Sequence, residues 1–294
     1  MKTDKIAIVT MAHGHPKMLA KWCAHYGANF GPENLFILSH GSAAEHAPIV
    51  GSSNLIALPR VFDRSFGRAR VRMVGRITAG LLEVFQRVII TDVDEFICVS
   101  PSTNVNLRTY LAEARQKAIV APMGFHLRPE KTPFDWSRPA LTQRSVASFR
   151  AHACKPTIIT SPQDYLPGFH AVKAGPFEID PNLMSFHLKH VDHEAFSKHY
   201  NDLKPEVENN WNENEKSGVK KSKPQAAWAD ANYNWQLEAE KYDYQTDPNI
   251  VAPAKHVAER YEVVQHPEKQ WWAVRSPKVA QKPFSLPLEY RNLV

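Results

Sequence analysis

An apolar run that ends abruptly in acid most limits what this chain can fold into. Arg87-Val88-Ile89-Ile90-Thr91 leads directly into Asp92-Val93-Asp94-Glu95-Phe96. Apolar and β-branched residues without polar alternation predict a strand covered on both faces, as in a parallel sheet. Carboxylates at the end of such a strand fall where open α/β sheets bind ligands. Two Asp one residue apart point the same way from an extended chain. Without a counter-ion they repel each other, and burial raises the cost. A divalent cation removes the repulsion, and hard oxygen donors suit Mg2+ or Mn2+, which share their shells with substrate phosphates. The motif points to a metal–diphosphate site. The plainer alternative is a solvated acidic turn.

The surrounding pattern supports an α/β fold. Ile6 to Thr10, Leu35 to Leu38, Asn54 to Leu58, the Val88 run and Ala118 to Ala121 read as strands. Between them, helices fit from His15-Pro16 to Phe30, from Arg68 to Phe85, and through Leu107, Leu111 and Ala114. This alternation predicts a doubly wound, mostly parallel sheet with right-handed crossovers. One domain over residues 1–203 is expected, with residues 1–122 as its ligand-binding (nucleotide) half and residues 123–203 as its acceptor half. The stretch from Gly124 to Val146, rich in Pro, aromatics and charge, reads as a flap. Strand-like pieces return at Pro156 to Ile159, Phe169 to Val172 and Met184 to Leu188, and Asp192 caps a helix containing Phe196, Tyr200 and Leu203. Residues 204–294 are expected to be a helical and Pro-rich extension, with a basic link from Ser217 to Pro224.

A net charge of +6 favours anionic partners, but no block of like charges indicates nucleic acid. Three widely spaced cysteines, Cys23, Cys98 and Cys154, suggest neither a disulfide framework nor a zinc ribbon, and fit a reducing cytoplasm. The N-terminus leads into a strand rather than a signal segment, and no apolar run has the length of a bilayer span. The expectation is a cytoplasmic protein that at most docks on the inner face of a membrane.

Several side chains could serve such a site. Arg68, Arg72 and Arg76 share one helix face, with Arg70 on another, and Arg68 lies nearest the helix start, where anions are favoured. That stripe could equally be a solvated surface. Asp63 follows the third strand and could accept from a ribose hydroxyl or base N–H, or pair with a neighbouring Arg. Among fourteen histidines, His187 stands on a strand facing away from Phe186 and Leu188, where an imidazole could complete the shell of a metal held by Asp94.

Together these pieces resemble the GT-A type nucleotide-sugar glycosyltransferases, especially the family-two-like bacterial group. The likeness is carried by Trp22-Cys23-Ala24-His25-Tyr26-Gly27, by Val88 to Phe96, by Phe149-Arg150 through Lys155-Pro156 to Gly168-Phe169-His170, and by Phe186-His187-Leu188-Lys189-His190 with Glu194-Ala195-Phe196. It spans roughly residues 6 to 200. It implies that Asp92 meets the ribose, the metal or both, that Asp94 binds the metal and so takes part in catalysis, and that His187 is the third protein ligand. It further implies that Thr10 and Ala12 line the base or ribose, and that arginines or Lys189 add charge stabilisation. The metal, Mn2+ or Mg2+, would hold the diphosphate as it leaves. The donor would be a nucleotide sugar and the acceptor a glycan, a lipid-linked molecule or another hydroxyl, as in polysaccharide biosynthesis. Where the family often has Asn-Glu after the first strand, Gly14-His15 stand here, and Ser39-His40-Gly41-Ser42 replaces its acid-Ser-acid run. Of Asp164, His170, Glu178 and Asp180 in the acceptor half, His170 and Asp180 are the preferred candidates for the catalytic base. Two other readings compete: a haloacid-dehalogenase-type phosphohydrolase, and a non-catalytic module that binds sugar nucleotides or glycans.

Overall fold

The protein is described from a computed structural model that covers residues 3–61, 66–113, 118–130, 132–192, 194–199, 201–203, 205, 261–275 and 283–294. Asp63, Ala114, His193, Tyr200, the basic link from Ser217 to Pro224 and most of the expected helical extension lie outside the described residues.

The chain forms a mixed α/β fold whose central sheet is flanked by helices. The first half runs β1 (Thr3–Ala12), α1 (Pro16–Phe30), β2 (Leu35–His40), α2 (Ala43–Val50), β3 (Asn54–Leu58), α3 (Phe66–Leu81) and β4 (Phe85–Ile90). The order β3-β2-β1-β4 is parallel throughout. The chain therefore steps outward from β1 to β3, then returns to the opposite side of β1. That reversal makes the carboxyl ends of β1 and β4 a topological switch point, the crevice where such sheets bind ligands. Ile8, Val9, Val88 and Ile89 are fully buried, as an apolar run without alternation requires. α1 buries Met18, Leu19, Trp22, Tyr26 and Phe30, a helical spacing, and ends where Gly31 turns the chain at φ 86°.

The second half departs from a simple βα alternation. β5 (Glu95–Val99) follows the acidic turn at once, and all of it is buried. Next come α4 (Leu107–Glu113), β6 (Ile119–Leu127), α5 (Ala140–Gln143), β7 (Val146–Phe149), β8 (Ile158–Ile159), β9 (Ala171–Val172) and β10 (Glu178–His187). β6 carries the expected fifth strand well into the proposed flap. β8 joins β4 to β6 by antiparallel pairing with each. β10 runs parallel to β6 and antiparallel to β5. Its register sets His187 opposite Glu95 on one side and opposite His126 on the other.

The C-terminal part is not merely an appendage. β11 (Glu262–Gln265) and β12 (Trp272–Arg275) build a small antiparallel sheet with β9. β13 (Phe284–Ser285) pairs with β7 at the edge of the main sheet. Phe284, Leu286 and Tyr290 are buried in the common core. No helix among the described residues is long and apolar enough to cross a membrane.

Candidate functional site

The acidic turn between β4 and β5 is held from below by one face of α1. Trp22 Nε1 donates to Thr91 Oγ1 at 2.8 Å. The Tyr26 hydroxyl donates to Glu95 O at 3.0 Å and accepts from Ile97 N at 2.8 Å. His25 Nε2 donates to Ile97 O at 2.9 Å. The Trp-x-x-His-Tyr segment thus fixes the main chain on both sides of Asp92 and Asp94. Buried polar groups need partners, so this pairing also specifies the register of the turn.

Above that base the carboxylates diverge in role. Asp92 is embedded in cations: Arg70 pairs with its Oδ1, and Lys155 Nζ lies 2.6 Å from its Oδ2. The same ammonium lies 2.7 Å from Glu95 Oε1. Burial alone would raise the Asp92 pKa, but Arg70 and Lys155 outweigh it and hold the carboxyl far below its usual range. Burial opposes the charge on Lys155, and Asp92 and Glu95 more than restore it, so its pKa is raised. Glu95 has its pKa raised, chiefly by burial, against the pull of Lys155.

Asp94 faces the other way. His187 Nε2 donates to its Oδ2 at 3.0 Å, and His187 Nδ1 lies 3.1 Å from His126 Nε2. Burial raises Asp94, yet His187 brings it well below the carboxylate norm. Burial likewise lowers His187, and Asp94 reverses this to leave its pKa raised. His126 is pushed well below the imidazole norm, first by burial and then by His187. His126 is therefore a neutral acceptor for the Nδ1–H of His187.

The segment after β8 closes the side of the site. Gly168 turns at φ 83°, and Phe169 follows at φ 60°, a conformation that costs a residue with a Cβ about 1 kcal/mol or more. The turn puts the Phe169 ring 5.4 Å from the Arg70 guanidinium carbon, a cation–π contact that helps aim Arg70 at Asp92. It also presents His170, whose Nδ1 donates to His152 O at 2.5 Å. Burial first, then the charge of Lys155, lowers the His170 pKa to about 4.

The sequence candidates separate in the structure. Asp92, Asp94, His187 and His170 come together around the carboxyl end of β4. Thr10 and Ala12 end the neighbouring β1, both buried, and Thr10 Oγ1 has no hydrogen-bond partner. Lys189 stands near Asp94 and 5.9 Å from the Phe196 ring centre. Arg68 is exposed, with Arg72 and Arg76, so the arginine stripe faces outward. The off-stripe Arg70 makes the contact instead.

Asp180 lies near the start of β10, seven residues before His187, and pairs with Pro122 of β6 just before an irregularity between Asp180 and Met184. There it accepts from the Tyr110 hydroxyl and Asn182 N.

The sequence analysis gave no specific role to Arg70, Lys155, Glu95, His126 or Phe169, although Glu95, Lys155 and Phe169 lie in the segments that carry the resemblance. Among the described residues no group of three or more His, Cys, Asp or Glu side chains is placed to hold a metal ion.

No protein-family model matches the chain, and no curated protein matches it either. Solved structures give faint likenesses. A mannose-1-phosphate geranyltransferase from Thermus thermophilus aligns with 62% of this chain and 57% of its own length, at 14% identity and a TM-score of 0.30. The bifunctional IspDF from Campylobacter jejuni aligns with 53% of this chain and 40% of its own, at 13% identity and a TM-score of 0.29. The chain thus spans little over half of the first and two fifths of the second. Likenesses this slight carry no chemistry across.

Proposed function

We propose that the protein is a glycosyltransferase that takes a sugar from a nucleoside-diphosphate donor and passes it to a hydroxyl of a glycan or lipid-linked acceptor. One observation carries the reading: ionised Asp92 and Asp94, together with Arg70, Lys155 and His187, surround the carboxyl end of β4 beside the switch point. Cations of this density beside an ionised carboxylate suit a ligand with several negative charges.

A divalent cation suits part of the donor set. Asp94 Oδ2 and His187 Nε2 are 3.0 Å apart, the spacing of adjacent donors around a small octahedral ion with bonds of about 2.1 Å. His126 accepts from the far nitrogen of His187, as outer partners of metal-bound imidazoles do. Asp92 does not suit the ion, because Arg70 and Lys155 take its oxygens. Asp94 and His187 would hold Mn2+ or Mg2+, with substrate phosphates filling the rest of the shell. When bound, the cation would offset the charge of the departing diphosphate. The residues themselves do the remainder. Arg70 and Lys155 orient the phosphates, α1 holds the acidic turn still, and His170 offers an unprotonated imidazole to the acceptor hydroxyl.

The phosphohydrolase alternative needs an unencumbered aspartate as nucleophile, and Asp92 is tied by two cations.

Thermal unfolding with sugar nucleotides, with and without Mn2+, tests the proposal. A donor at a hundred times its Kd adds about 2.7 kcal/mol, a rise of roughly 5 °C or more. The rise should require Mn2+ and vanish in Asp94→Ala, which should also lose nucleotide release while melting normally without ligand. Wild-type turnover by Asp94→Ala ends the reading. Binding without nucleotide release by the native protein would leave a sugar-nucleotide-binding module.

A further inference from the structure

We propose that the outward face of α3 docks on an anionic lipid surface, through a ridge formed by Arg68, Arg72 and Arg76. The purpose of docking rests on the reading above, since a lipid-linked acceptor is presented at such a surface. The docking itself is a property of the ridge.

The stability of the fold does not account for this ridge. The three arginines stand four residues apart along α3, and all are exposed. The helix contains no Asp or Glu to pair with them. Like charges four residues apart disfavour a helix. Of the exposed acids that adjoin it, Glu83 lies past the last turn, and Asp164 follows Gln163, whose carbonyl oxygen would lie 3.3 Å from a Cβ on Gly75. Neither acid pairs with the ridge, and none of the three guanidinium groups has a hydrogen bond or ion pair among the described residues. Arg70, on the inner side of the same helix, is instead tied to Asp92 and Phe169. Three cations held in line without an internal partner are complementary to an anionic surface outside the protein.

Geometry and composition favour a bilayer as that surface. Eight residues of helix spread the charges over about 12 Å, a line that can lie along one plane. A planar guanidinium matches phosphate oxygens with paired hydrogen bonds, and phosphodiester headgroups supply them. Val61 and Val84, each 54% exposed, bracket the helix in the chain. They are two of the four large apolar side chains exposed among the described residues. Apolar groups beside a basic face can enter the boundary between headgroups and acyl chains, which a soluble polyanion does not offer. The same helix delivers Arg70 to Asp92, so the ridge begins beside the crevice. A bilayer under the ridge lies alongside the candidate site.

Co-sedimentation of the full chain with vesicles decides the matter. The protein should pellet with vesicles of phosphatidylcholine mixed with phosphatidylglycerol, and far less with phosphatidylcholine alone. Added salt should release it, because the attraction is screened. Arg68→Gln, Arg72→Gln and Arg76→Gln should each weaken vesicle binding about fivefold, and the triple variant on the order of 100-fold. Melting temperatures check that the variants fold; if the triple variant does not, the single variants decide. No preference for anionic vesicles, or wild-type binding by the folded variants, overturns the proposal. A protein that binds soluble polyphosphate through these arginines but ignores vesicles is an acidic-polymer binder, and that also overturns it. The glycosyltransferase reading fails by a different result: vesicle binding as described, but no nucleotide released from any sugar nucleotide with Mn2+ present.

Discussion

At the scale of single residues, the two aspartates illustrate how identical side chains part company. They stand two positions apart, yet Asp92 meets two cations and Asp94 meets one imidazole. His170 has a further consequence. Its Nδ1–H is committed to His152 O, and its pKa near 4 keeps the ring neutral at physiological pH. A neutral imidazole can accept a proton, although so low a pKa makes it a weak base. Replacing His170 with Gln should lower kcat roughly 100-fold or more, with the donor-induced rise in melting temperature retained. Unchanged kcat would remove His170 from the chemistry. The arginines of α3 carry a caution about helical periodicity. Four-residue spacing identified Arg68, Arg72 and Arg76 as one face, correctly, but that face looks outward. The residue that serves the site is the one out of phase.

At the scale of elements, α1 and β6 do the positioning. The Tyr26 hydroxyl bridges Glu95 O and Ile97 N while buried in the core. Tyr26→Phe leaves both backbone groups without that partner and should cost about 1–3 kcal/mol. Chemical denaturation should show the loss, together with weaker donor binding, because the acidic turn loosens. Stability equal to wild type would show that the bridge contributes nothing. β6 passes so near the segment after β7 that a Cβ on Gly124 would lie 2.3 Å from the carbonyl carbon of Ala153. No real Cβ tolerates that, and the obstacle is backbone. Gly124→Ala should lower the melting temperature by roughly 5 °C or more, and would disturb the run from Ala153 to Lys155 that delivers the ammonium. A variant that melts like wild type would mean the two segments can move apart freely.

At the scale of the whole molecule, histidines whose pKa values the fold lowers set the response to acid. His25, His152 and His170 are lowered to about 4, and His190 and His199 to about 3, burial being the first cause for each. In the unfolded chain each would take up a proton near pH 6.5. The folded state resists protonation until lower pH. Stability is thus full above about pH 6.5 and falls as the pH drops toward 4, the half-buried His25 being one contributor. Asp92 and Asp94, both lowered, extend the loss below the ordinary carboxylate range. Melting temperatures at pH 7.5, 6 and 5 should decline in that order; a flat profile would mean the imidazoles are not buried as described. The fold's outline was legible in the sequence because its causes are local. Uninterrupted apolar runs mark buried strands, Pro16 and Gly31 bracket α1, and acids after the Val88 run mark the carboxyl end of β4. Local pattern could also nominate Asp92, Asp94 and His187, since each follows or occupies a recognisable strand. It could not foresee β5, the return of β13 to the sheet, or the pairing of Asp180 with Tyr110. Those depend on which strands pair and in what register, and register is set by contacts between residues far apart in the chain. For the same reason only the tertiary structure brought Lys155 and Arg70 to Asp92 and left Asp94 to His187.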